Sequence, residues 1–196
     1  MRKRIAQITI VAAPMLVGSL NLTHPMFSPP VYAGLVDHIS WWIRLHVLNL
    51  ALFPFLGLAA YLLVKDVHNF AAGVAKVAIA VFVPIYAAFD AMAGIGTGIL
   101  VHNVRLLPPA DLTTVGPLID SYWGNPAINA TAAIGSIAWV IAMLSTAVAF
   151  TNSDRRRLVS ILAVVLFFVG GAALSMFPRS SNVHIPILWG LPSGWE

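Results

Sequence analysis

Polar and charged positions divide the chain into five long apolar runs, near residues 5–22, 41–64, 77–101, 126–150 and 158–177. Each is long enough, or nearly so, to cross the ~30 Å of hydrocarbon in a bilayer, which takes about 20 helical residues. The pattern predicts an all-α integral membrane protein: a single domain over residues 1–196, built as a bundle of about five transmembrane helices. The first run is the shortest. Its start, MRKRIAQITIVAAPMLVG, also fits the charged and apolar regions of a secretory signal peptide. The cleavage-like Val31-Tyr32-Ala33 lies well beyond the apolar part, so the segment is expected to stay as an anchor helix.

The basic residues orient the bundle. Arg2, Lys3 and Arg4 precede the first run, Lys65 and Lys76 flank the 2–3 loop, and Arg155, Arg156 and Arg157 fill the 4–5 loop. All eight fall on one side of an alternating topology, against Arg44, Arg105 and Arg179 on the other. Basic loops stay in the cytoplasm, so the expected amino terminus is cytoplasmic and the carboxyl terminus extracytoplasmic. The loops on the outer side, 23–40, 102–125 and the tail 178–196, are longer and rich in Pro and Gly. Trp41, Trp42, Trp123, Trp189 and Trp195 lie in or beside them. Tryptophan collects at headgroup level, so these loops read as a cap on the outer surface.

Composition agrees with the pattern. Hydrophobic residues make up 59% and charged residues 9%, against about 25% charged in soluble domains. The chain therefore has the lipid bilayer as its first partner. A pI near 9.9 comes from short clusters between apolar runs, which act as orientation signals, and no nucleic-acid partner is inferred. The absence of cysteine excludes disulfides, thiolate metal sites and cysteine nucleophiles. No internal repeat of the kind that builds many transporters is visible.

One residue breaks the apolar logic. Asp90 lies at the centre of 77–101, too deep and too short to reach the interface, and a carboxylate facing lipid would cost several kcal/mol. At ~100° per residue, Tyr86, Asp90, Gly94, Thr97 and Val101 share one helical stripe, and Gly94 with Gly98 forms a small-xxx-small pair that suits a close neighbour. His46 and Asn49 are spaced to share a face of the second helix. Asn129 and Ser136 share a stripe of the fourth, with Ser136 near the depth of Asp90. The expected binding residues are thus Asp90, Asn49, Ser136, Tyr86, His46 and Asn129, in a polar pocket opening outward. Pro14, Pro54 and Pro84 interrupt predicted spans and free carbonyls four residues upstream. The competing reading is a protonated carboxyl that only ties helices together.

Five of the six histidines, His24, His38, His46, His102 and His184, fall on the outer side. They offer ligands for a divalent metal, though at no diagnostic spacing. A bis-histidine haem needs one histidine from each of two facing helices, and only His46 lies clearly within a span. Three functions follow as expectations. The first is a pocket for a small ligand, a cation or a partner subunit. The others are a metal- or haem-dependent membrane enzyme and a proton-coupled carrier that would act as a homo-oligomer. Ser136, His46 and Asp90 could also be drawn as a catalytic triad. No nucleophile elbow, phosphate loop or dinucleotide fingerprint is present, and Gly94-Ile95-Gly96-Thr97-Gly98 reads as helix packing.

Overall fold

The computed structural model describes residues 2–27 and 29–150, and every regular element among them is helical. The predicted span 158–177, the tail and His184 lie outside the described residues. The elements are α1 (Arg2–Asn21), the short α2 (Val31–Leu35) with a single 3₁₀ turn (Val36–His38), α3 (Ile39–Val64) and α4 (Phe70–Phe89). A π-helical segment (Asp90–Gly96) then runs directly into α5 (Thr97–Val104), and α6 (Pro109–Trp123) and α7 (Pro126–Ala149) complete the set.

Four helical stretches are long and apolar enough to cross a membrane, at Arg4–Asn21, Val31–Val64, Phe70–Val104 and Pro109–Ala149. They overlap the first four predicted runs, and the second and fourth also take in the short helices that precede the runs at 41–64 and 126–150. The third is longer than its apolar pattern suggested, because Asn69 starts it seven residues early by accepting a hydrogen bond from the Ala72 amide at 2.8 Å. Large apolar side chains such as Val47, Phe55, Val77, Ile137, Leu144 and Val148 point away from the bundle. Helices that are apolar on their outer faces as well as their inner ones belong in lipid or in a core, and this fits a membrane protein. Pro14, Pro54 and Pro84 all lie inside helices.

The helices stand side by side: α3 packs on α1 and on α4, and α4 packs most extensively on α7. The α4–α7 seam is made by small residues. Ala72, Ala75 and Ala78 of α4 and Gly135, Ala138 and Ala142 of α7 are buried, and small side chains let helix backbones approach closely. Aromatic rings fill the middle of the bundle, where Phe82 stacks at 4.6 Å on Trp139 and Tyr86 meets Phe53 at 5.0 Å. At the end that carries Lys65 and Lys76, the Lys76 ammonium donates to the carbonyls of Lys65 and Val67. There the Asn69 amide also donates to the Ala149 carbonyl at 3.0 Å, tying the start of α4 to the end of α7.

The opposite end carries a second apolar cluster, in which α2 and α6 close over the ends of α3 and α5 through Val31, Leu35, Ile39, Val101 and Ile119. Asp120 accepts from the Val31 amide at 2.7 Å and pins this cap together. The stretch between α1 and α2 does not rest on the outside. Helix α1 stops at Asn21, which pairs with Asn49, roughly 15 Å along α3 at ~1.5 Å per residue. The chain then climbs beside α3, packing His24 and Phe27 against Trp42.

Asn69 both caps α4 and bridges to α7. Replacing it with Ala should lower stability by about 1–2 kcal/mol, the range for a lost N-cap, measured by denaturant unfolding of the detergent-solubilised protein. An unchanged unfolding midpoint would show that neither bond contributes.

Candidate functional site

Trp42, His46, Asn49 and Phe53 recur at the spacing of one helical face and are all buried on α3. The π segment faces them. Its wider turns begin at Asp90, and Tyr86, Asp90, Gly94, Thr97 and Val101 are all buried, so the stripe read from the sequence points into the bundle. His46 and Asp90 meet directly, with Nδ1 and Oδ1 2.7 Å apart and only 7% and 3% of the residues exposed.

Glycines allow this contact. A Cβ at Gly94 would overlap the His46 imidazole, one at Gly96 would meet the Tyr122 hydroxyl at 2.5 Å, and one at Gly98 would meet Ile43 and Trp42. Outside donors hold the π segment in place: the Trp42 indole donates to the Gly94 carbonyl at 2.7 Å and the Tyr122 hydroxyl to the Met92 carbonyl at 3.0 Å. π turns inside α-helices occur frequently at functional sites. Here the turn sets Asp90 opposite His46 and is locked from α3 and α6 at once.

Two atoms of the pair have no hydrogen-bond partner, His46 Nε2 and Asp90 Oδ2. Both residues line a cavity of about 50 Å³, bounded also by Asn21, His24, Trp42, Asn49, Phe53, Tyr86 and Trp123. That volume holds a few waters or a group of similar size. Pro25, Met26 and Phe27 also line it, at the end of the bundle remote from Lys65 and Lys76, and the exposed Met26 marks its mouth there. Asn21 and Asn49 face each other with reciprocal amide hydrogen bonds of 3.3 Å.

His24 lines the cavity too, its ring 5.4 Å from that of His46 and 4.8 Å from that of Trp42. Its Nδ1–H donates to the Pro25 carbonyl at 3.0 Å. Burial, and then repulsion from His46, lower its pKa to about 4 against a smaller upward pull from that carbonyl. His24 is therefore neutral near pH 7, with Nε2 as its free acceptor.

The structure brings together four of the six residues named for the pocket: Asp90, His46, Asn49 and Tyr86 all line it. Ser136 is half-buried on α7 and does not, so no Ser136–His46–Asp90 triad forms. Helix α7 reaches this region through Gly135, which packs against the Tyr86 ring. Asn129 is exposed and donates to the Gly124 carbonyl at the start of α7. Sequence reasoning missed Asn21 and Trp42 as pocket residues and took His24 only for a metal ligand. An asparagine at a helix end reads as a terminus, and nothing local signals that the following chain turns inward.

The metal expectation finds no assembled site. Among the described residues no group of three or more His, Cys, Asp or Glu could hold an ion. His38 is exposed and His102 half-buried, and only His24 and His46 share the cavity. The cavity is too small for a haem macrocycle, since pockets for ligands of drug size run to hundreds of Å³. No protein-family model, curated protein or solved structure matches the chain.

Two outcomes follow. Gly94→Ala should force His46 off Asp90 and cost on the order of 1–3 kcal/mol, as overpacking does, visible as a lower unfolding midpoint. His24 binds a proton more weakly folded (about 4) than unfolded (6.5). Its contribution to stability is therefore fully present above pH 6.5 and is lost as pH falls toward 4. Over that window the wild type should lose more melting temperature than His24→Phe, and parallel pH profiles would refute the assignment.

Proposed function

We propose that this chain is a multi-pass membrane protein that binds a small ligand between α3 and the π segment, with its amino terminus cytoplasmic and the cavity opening on the extracytoplasmic side. One observation carries the reading: a buried acid–base pair leaves one polar atom of each partner without a hydrogen bond, and both residues line a single cavity. A clip serving stability alone gains nothing from this, because each unsatisfied buried polar atom costs about 1–3 kcal/mol. Asp90 and His46 would contact the ligand, Asn21 and Asn49 would border it, and Tyr86 and Phe53 would form an apolar floor. The orientation is supported by the basic residues of the sequence, since Lys65 and Lys76 lie at the end remote from the mouth.

A metal-dependent reading has one observation in its favour. An imidazole whose Nδ1 is held by a carboxylate and whose Nε2 is free is the arrangement that second-shell carboxylates impose on metal-bound histidines. Metal analysis and an absorption spectrum of the purified protein test it, and a colourless, metal-free preparation that still binds ligand removes it.

The chain has no cysteine, so single thiols can be introduced cleanly. Met26→Cys at the mouth should react with a membrane-impermeant thiol reagent added from the extracytoplasmic side and be protected from the cytoplasmic side. Ala93→Cys on the wall should react with methyl methanethiosulfonate. Labelling of Met26→Cys from the cytoplasm alone would reverse the orientation, and an inert Ala93→Cys would defeat the binding site.

A further inference from the structure

The protonation chemistry of the pair narrows what the cavity accepts. Among the described residues, the lining holds besides His46 and Asp90 only two titratable side chains, His24 and Tyr86, and no lysine, arginine or glutamate. A net charge on the pair would have no counterion there, and burying an uncompensated charge is costly. The net-neutral pair carries two protons, one of them in the bond between Nδ1 and Oδ1. Three arrangements satisfy this. An imidazolium beside a carboxylate has Nε2–H and a bare Oδ2 as its two unpartnered atoms. An imidazole accepting at Nδ1 from the acid's Oδ1–H has the same two. An imidazole donating Nδ1–H to an acid protonated on Oδ2 shows a bare Nε2 and an Oδ2–H. In every case one of the two unpartnered atoms donates and the other accepts.

The walls argue for a neutral guest. They are mostly aromatic and aliphatic, and an ion entering them would lose its water without fixed charges to replace it. Aromatic faces attract cations, but the Trp42 ring is already surrounded by protein rings, with His46 at 4.4 Å, His24 at 4.8 Å, Phe27 at 5.5 Å and Trp123 at 6.0 Å. The enclosed volume of about 50 Å³ takes the polar end of a molecule, and the remainder would lie in the mouth beside Pro25, Met26 and Phe27.

We infer that the site takes a neutral molecule bearing a group that both donates and accepts a hydrogen bond, a hydroxyl or a primary amide, seated across His46 Nε2 and Asp90 Oδ2. This rests on the binding function proposed above and names the ligand's chemistry. The matched group completes both unsatisfied atoms at once, whichever way the pair's protons are arranged. It can also receive a proton at one of them while returning one at the other, so binding needs no net change in protonation.

The test uses the full chain in lipid nanodiscs with ¹⁵N-labelled histidine, titrated with four probes: benzyl alcohol, benzyl methyl ether, benzylammonium and benzoate. Benzyl alcohol should shift the His46 Nε2 resonance saturably. The ether, which only accepts, should bind at least about tenfold more weakly, equivalent to one lost hydrogen bond. Asp90→Asn, whose amide still places a donor beside Nε2, should keep the preference for the alcohol over the ether, while Asp90→Leu should abolish it. Tighter binding of benzylammonium or benzoate overturns the inference and leaves the binding site standing. So does equal binding of alcohol and ether, or loss of the preference in Asp90→Asn as in Asp90→Leu. If no probe moves His46, the inference fails; if the Ala93→Cys thiol is also inert, the proposed function fails with it.

Discussion

The bond between His46 and Asp90 is the constraint around which the capped half of this bundle, remote from Lys65 and Lys76, is arranged. Exposure to lipid would cost a carboxyl group halfway along a membrane-length helix several kcal/mol. The protein meets this with a 2.7 Å contact to an imidazole on the neighbouring helix. Such a contact demands that α3 and the π segment lie unusually close. Gly94, Gly96 and Gly98 provide the room, and Trp42 and Tyr122 hold the backbone in register.

The two ends of the bundle are built on different principles. Toward Lys65 and Lys76, alanines bring α4 and α7 together and aromatic rings fill the centre, so the described interior there is apolar. Toward the cap, polar side chains point inward, and the chain between α1 and α2 folds in beside them instead of lying flat. Because α1 ends early at Asn21, there is space on that side of α3 for His24 and Phe27. The early stop of one helix thereby creates the wall of the cavity, and the amide pair of Asn21 and Asn49 forms part of its boundary.

The pair's chemistry and its surroundings are matched. Even were the pair ionised, its enclosure by hydrophobic side chains would commonly leave it no more stable than an apolar contact of the same shape. Keeping this polar pair beside a cavity, with two of its atoms left without a hydrogen bond, fits a binding role better than a bracing one. The aromatic floor of Phe53, Phe82 and Tyr86 separates the site from the rest of the interior. For the proposed ligand, access would lie past residues 25–27, where Met26 is exposed.

By itself, the amino-acid sequence determined the helical class, four of the described spans and the inward direction of Asp90. Each follows from local quantities: run length against bilayer thickness, and the angular period of a helix. It also brought His46 and Asn49 to one face by spacing alone. Partner choice was decided by the tertiary structure. Asp90 bonds His46, while Asn49 turns to Asn21 on a helix whose end carried no such signal. Ser136, at a suitable depth, lies away from the cavity because Gly135 occupies the contact with Tyr86. Depth and spacing constrain position along a helix and around it, but which helices touch, and at what rotation, depends on how small and large side chains interlock across the whole bundle.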